Sequence, residues 1–277
     1  MRISTFLFAT ALLGANFVAA QTVPKQDQLQ LHKPPAPEGC ANMPLLEKRV
    51  EDMETRLRDW PQLARYADAN TTLAPAAPGE QRVVFMGDSI TDMWANPQYG
   101  GFFPGRPYVD RGISAQTTPQ MLIRFRPDVI DLKPAVVVIL AGTNDIAGNT
   151  GPMTLEQTEA NLASMSDLAH AHGLRVVMAS VMPVADVTTP DGKKLVQTEK
   201  RPPQKILALN TWIKSYAAEH GDVYLDYFSA MVDEQGFLKL DLTYDGLHPQ
   251  AKGYAVMAPL AEKAIQEALQ ARVAAGL

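Results

Sequence analysis

The chain holds a single cysteine, Cys40, in 277 residues. One thiol cannot close an internal disulfide, so the fold is expected to hold by packing alone, which suits a bacterial-type export route better than a disulfide scaffold. Cys40 stands among Pro, Gly and Asn, far in sequence from any catalytic-looking histidine, and reads as a bystander. Charge of one sign is also scarce. Lys and Arg number 25 against 30 Asp and Glu, and no basic block is present. Nucleic acid and anionic membrane surfaces are therefore poor candidate partners. After the first twenty residues no apolar run approaches the roughly 20 residues of a membrane span, so no stable membrane insertion is expected. What remains, 46% hydrophobic and 20% charged, is ordinary globular composition.

The first twenty residues read differently. Arg2, a largely apolar run to Leu13 and small residues through Ala19 and Ala20 form the pattern of a secretory signal. Cleavage is expected after Ala20, with the mature protein secreted or periplasmic. Residues 21–44, rich in proline and polar side chains, read as a linker. Leu46, Val50, Met53, Leu57 and Trp60 then recur at helical spacing, which marks an amphipathic helix ending before Pro61. Its stripe is expected to pack on the main domain. The organisation is thus signal 1–20, linker 21–44, helical extension 45–81 and main domain 82–277.

Within the main domain, strand-like runs at 82–86, 107–109, 135–141, 174–181 and 223–226 alternate with helical stretches at 118–132, 154–172, 204–219 and 252–273. Several runs, such as "AVVVIL", are continuously apolar, as when helices cover both faces of a parallel sheet. The alternation predicts a three-layer α/β/α sandwich with a central parallel sheet. The polar connection 183–203 is long enough to be functional or mobile. It falls beyond a strand end, where open α/β sheets bind ligands.

The polar motifs gather at that same edge. "VVFMGDSITDMW" places Ser89 at a strand-to-helix joint, where a serine can simply cap the helix. A serine becomes a nucleophile when a histidine takes its proton and a carboxylate steadies that histidine, and Asp245 and His248 in "DGLHP" can supply the pair. An acyl-transfer intermediate also needs donors for its oxyanion. The N–H groups of Ser89 and Gly112 and the side-chain amide of Asn144 in "GTND" are candidates, with the dipole of the helix after Ser89 adding support.

These blocks, "GDSIT", "RGIS", "GTND" and "DGLHP", together resemble the GDSL-type esterases, also called SGNH hydrolases, over most of residues 82–265. The resemblance extends to bacterial relatives of platelet-activating-factor acetylhydrolase and lysophospholipase L1-like esterases. It implies a flavodoxin-like fold, Ser89 as nucleophile, Asp245 and His248 completing a triad, Gly112 and Asn144 joining Ser89 in the oxyanion hole, and no cofactor or metal. The second block often reads N-R-G-I-x-G in such relatives. Here Asp110 and Ala115 stand at the variable places, which puts the geometry of the oxyanion loop in question.

Other signals are weaker. G-x-S-x-G is absent, and Ser114 reads as structural. His170 and His172 diverge on a helix, and no carboxylate or cysteine completes metal spacing. Asp88 and Asp92 flank Ser89 as expected of acids favouring a helix N-terminus. His32 and His220 read as surface residues. Trp94, Tyr99, Phe102 and Phe103, in a Gly- and Pro-rich loop, fit either core packing or a pocket wall. The expected activity is hydrolysis of carboxylic esters, with short acyl chains, through an acyl-enzyme on Ser89. A carbohydrate O-acetyl esterase acting on polysaccharide, a lysophospholipase, and a non-catalytic carbohydrate- or lipid-binding module are the alternatives.

Overall fold

A computed structural model of the protein describes residues 43–270. The expected signal, His32, Cys40, nearly all of the linker and the tail at 271–277 lie outside the described residues. The chain divides into two compact units between Asp52 and Met53. Helix α1 (Met43–Arg58) runs through that point. Its stripe of Leu46, Val50, Met53 and Leu57 is exposed, where the spacing predicted a covered face.

In the larger unit, α2 (Ala67–Thr72) precedes β1 (Val83–Gly87), the short α3 (Ser89–Asp92), β2 (Tyr108–Gly112) and α4 (Thr118–Asp128). Then come β3 (Val136–Leu140), α5 (Thr143–Ile146), α6 (Leu155–Ala171), β4 (Arg175–Ala179), and a two-strand ribbon of β5 (Val187–Thr188) and β6 (Lys194–Leu195). Helix α7 (Pro203–His220), β7 (Val223–Leu225), α8 (Tyr227–Met231) and α9 (Ala251–Gln270) complete it. Capping boxes at Thr117/Gln120 and Thr154/Gln157 start α4 and α6 by satisfying backbone N–H groups that have no helical acceptor.

Five strands form one parallel sheet in the order β2-β1-β3-β4-β7, so each long apolar run of the sequence becomes a strand. The ribbon is antiparallel and lies within the 183–203 connection. Period-two alternation divides the core between the two faces. Val83, Phe85, Val136 and Val138 pack towards α9 and the aromatic loop, while Val84, Met86, Val137 and Ile139 pack towards α4, α6 and α7. Each such side chain, removed from water, contributes about 1.5–3 kcal/mol. The Trp94 and Phe103 side chains are buried in this packing and meet Phe85 and Phe102 ring to ring, and with Tyr99 they also line a cavity of about 440 Å³, so the loop is both core and pocket wall.

Register positions the site. Gly87 is paired with Gly112 on one side and Leu140 on the other, so β1, β2 and β3 end level. The chain leaves β1 for one neighbour and later returns to the other side of it. That reversal opens a crevice at the carboxyl ends of β1 and β3.

Candidate active site

Ser89 does not cap its helix. Asp88 does, accepting the Ile90 N–H at 2.9 Å. The Ser89 hydroxyl is left to meet His248 Nε2 at 2.9 Å, 159 positions away in the chain. Helix α3 is only four residues long, so little dipole accumulates behind Ser89, and the donor that counts is its own N–H. Burial pushes the Asp88 carboxyl up to about 6, against the Ile90 hydrogen bond that favours its charge.

His248 is held from its other side. Its Nδ1 lies 2.7 Å from Asp245 Oδ2, while the backbone N–H groups of Leu247 and His248 donate to Asp245 Oδ1 at 3.0 and 2.8 Å. Burial works to raise the Asp245 pKa. The bonds from the His248 ring and backbone outweigh it, and the group stays below the ordinary carboxylate range. An ionised Asp245 calls for the proton on Nδ1, which leaves Nε2 as acceptor for the Ser89 O–H.

Asn144, in the first turn after β3, donates from Nδ2 to Gln116 O at 3.0 Å and lies 3.5 Å from Asp88 Oδ2. Its Oδ1 accepts from Arg201 Nη2 at 3.2 Å. The next residue, Asp145, is buried and takes the Thr118 N–H and hydroxyl, tying the β3 turn to the start of α4.

The Gly112 expectation needs correction. Its N–H donates to Asp110 Oδ1 at 2.7 Å, so that donor is occupied inside the protein. A side chain is excluded at Gly112 because a Cβ would overlap the Asp92 backbone, not because a substrate approaches there. In the turn that follows, Ile113 N–H donates to Gly87 O, Ser114 N–H to Asp92, Gln116 N–H to Ile113 O and Thr117 N–H to Gln120. Ala115, held at φ +67°, has the one N–H of this turn that meets no acceptor among the described residues. The sequence marked Ala115 only as a departure in the second block and offered nothing to suggest its N–H as a candidate donor.

Beneath the turn lies a polar support with no local sequence signature. Arg124, fully buried, donates to Gly87 O, Arg111 O, Gln116 Oε1 and Asp128 Oδ2 at 2.6–3.0 Å. Asn70 bridges Asp128 and Arg111, and Tyr66 donates its hydroxyl proton to Gly112 O under the Arg111 guanidinium. The Trp60 and Pro61 carbonyls accept from Gln120 and Gln116 at 2.7 and 2.8 Å. Asp92, expected only to favour a helix start, binds the Ser114 N–H and hydroxyl and pairs with Arg65. Ser114 is structural in that sense.

The remaining predicted residues lie elsewhere. His170 pairs with Asp222, His172 faces Arg126, and His220 stacks on Tyr216. Beside Ala115 a cavity of about 550 Å³ opens, lined in part by Trp60, Gln62, Ser114, Asn149 and Thr150. Among the described residues no helix is long and apolar enough to cross a membrane.

Residues 85–256 match the model of the GDSL-like lipase/acylhydrolase family. The chain belongs to this family. A GDSL-like lipase from Bacteroides thetaiotaomicron is 42% identical with a TM-score of 0.68, the match covering 75% of this chain and 98% of that one. A Bacteroides fragilis structure matches at 42% identity and TM-score 0.69, over 76% and 99% of the two chains. An acetylxylan esterase from Geobacillus stearothermophilus shares the fold at 20% identity and TM-score 0.54, over 71% and 97%. A Bacillus subtilis lipoprotein is 30% identical over 81 residues, a third of its length. In this GDSL-like chain the family match embraces Ser89, Asn144, Asp245 and His248, and begins after the support from Trp60 to Asn70.

Proposed function

We propose that the protein is a serine esterase that hydrolyses carboxylic esters through an acyl-enzyme on Ser89. The observation that carries this reading is the continuous hydrogen-bonded chain from Ser89 Oγ through His248 to Asp245, at 2.9 and 2.7 Å. In this mechanism His248 Nε2 takes the hydroxyl proton as Ser89 Oγ attacks the ester carbonyl. The resulting oxyanion rests on the Ser89 N–H and the Ala115 N–H, with Ala115 in the role expected of Gly112, and Asn144 Nδ2 turns one N–H to it from its resting partners, the Gln116 carbonyl and Asp88. Collapse expels the alcohol, which leaves with the proton from His248. Water, deprotonated by the same nitrogen, then releases the acid and restores Ser89. Asp245 stabilises the imidazolium throughout and stays ionised.

The lead at residues 1–20 supports export, and the lipoprotein relative is in keeping with it. On the substrate side, the cavity beside Ala115 offers the Asp59 carboxylate, amides, hydroxyls and one indole, the chemistry that binds a sugar ring. This favours acetylated carbohydrate over lysophospholipid. The acetylxylan esterase of the same fold acts on such an ester and was also solved as catalytic mutants lacking a serine or a histidine.

The test is a p-nitrophenyl ester series from acetyl to lauroyl, with mass spectrometry after a fluorophosphonate probe. The expected result is a preference for acetyl, one adduct located on Ser89, and loss of about 10⁴–10⁶-fold in kcat for Ser89→Ala. Full activity in Ser89→Ala defeats the reading. Acetate release from acetylated xylan, set against fatty acid release from a lysophospholipid, decides the alcohol side.

A further inference from the structure

The 183–203 connection delivers a buried cation to the site. Arg201 is 5% exposed, and its donors go to neutral oxygens: Nε to Thr143 Oγ1 at 3.0 Å, Nη2 to Asn144 Oδ1 at 3.2 Å and Nη1 to Gln197 Oε1 at 3.1 Å. Burying a guanidinium is expensive unless its hydrogen bonds are well satisfied and its charge is useful where it lies. We propose that Arg201 is a positioning residue for the oxyanion site, locking the Asn144 amide with Nδ2 on the side of Ser89's neighbour Asp88 and the Gln116 carbonyl, where it can turn to the oxyanion, and placing positive charge behind that donor. The inference rests on the esterase reading above.

The amide has only one tenable orientation. Turned over, Nδ2 would face a guanidinium that has donors and no acceptor, and Oδ1 would face the Gln116 carbonyl. Both contacts would be repulsive. A charged donor on Oδ1 also draws electron density from the amide, which strengthens Nδ2–H as a donor when negative charge develops.

The same loop reaches the acid–base turn. Gln197, which receives Arg201 Nη1, donates from Nε2 to Asp245 O at 3.1 Å. Asp186 anchors this stretch by accepting from Gln197 N–H, Thr198 N–H and the Thr198 hydroxyl at 2.8–2.9 Å. One strap thus spans the oxyanion donor and the turn bearing His248. The fork geometry matters, because lysine in place of arginine keeps the charge but lacks the rigid planar fork that holds Thr143, Asn144 and Gln197 in fixed directions.

A double-mutant cycle tests this, with p-nitrophenyl acetate as substrate and thermal melting to verify folding. Arg201→Ala is expected to lower kcat by about 10–100-fold with KM changed less than about twofold. In an Asn144→Ala background the same substitution should cost less than about threefold, since the amide it orients is gone. Added guanidinium should restore part of the activity of Arg201→Ala and none of that of Asn144→Ala. Equal costs in both backgrounds overturn the proposal. If Arg201→Ala does not fold, Arg201→Lys carries the same cycle and is judged by the same comparison. When the wild type hydrolyses the ester and Ser89→Ala does not, equal costs overturn this inference alone. An inactive wild type removes the esterase reading and this inference with it.

Discussion

Ala185 and Gly246 lie backbone against backbone: the Ala185 N–H donates to Gly246 O at 2.8 Å, and a Cβ on Gly246 would overlap the Ala185 carbonyl oxygen. Gly246 is also held at φ +81°, a conformation that other residues adopt only under strain. It is the residue between Asp245 and the Leu247–His248 pair, so any displacement there moves the base. Gly246→Ala should lose about 1–3 kcal/mol of stability, with a fall in kcat that outstrips any change in KM. Denaturant unfolding and steady-state kinetics on one preparation check both. A variant with wild-type stability and turnover would show that the approach is not tight.

Ala115 and Gly112 make opposite cases. Ala115 carries a side chain at φ +67°, so Ala115→Gly should relieve local strain and keep the N–H, changing stability by less than about 1 kcal/mol in the favourable direction with kcat retained. Gly112→Ala should destabilise, because Asp92 leaves no room. Asn144→Ala should lower kcat by about 10²–10³-fold with little change in KM. Unaltered turnover would remove Asn144 from the oxyanion site.

Two ionisable groups away from the nucleophile, His170 and Asp110, give stability a pH dependence. The hydrogen bond that His170 Nε2 donates to Asp222, whose other oxygen accepts from Ser166, raises the His170 pKa above its ordinary 6.5. A base whose pKa is raised by folding stabilises fully below its unfolded value and ceases to do so as pH rises through the folded one. The melting-temperature gap between wild type and His170→Gln should therefore be widest below pH 6.5 and close above it. Burial pushes Asp110 from 3.8 up to about 7, and its second oxygen meets no partner. Folding then favours its protonated form, so stability should decline as pH rises from 3.8 to about 7. Asp110→Asn should flatten that decline, and a melting series across the window reads it directly.

The strands were legible because both faces of the sheet are covered, which forces runs such as 135–141 to be continuously apolar. Ser89, Asn144, Asp245 and His248 could be picked out as candidates because each stands in a short block at a strand end or tight turn. Gly112 misled because one residue type answers two demands, room for a neighbouring backbone and a free donor, and only coordinates separate them. Arg201 was invisible: a lone arginine in "TEKRPP" has no periodicity, and its partner Asn144 is 57 positions away. The α1 spacing foretold a helix but could not say what covers its stripe. The β5–β6 ribbon is too short to leave an alternation.

The backbone carbonyls of Trp60 and Pro61 hold Gln120 of α4 and Gln116 of the turn before it, with Tyr66 and Asn70 completing the hold on Gly112 and Arg111. All four precede residue 85, where the family pattern starts. A gene trimmed to that pattern would thus discard the footing of the very loop that presents Ala115. A self-sufficient hydrolase cut from this chain is expected to need the stretch from Trp60 to Asn70, which is a working part of the machine rather than a tether to it.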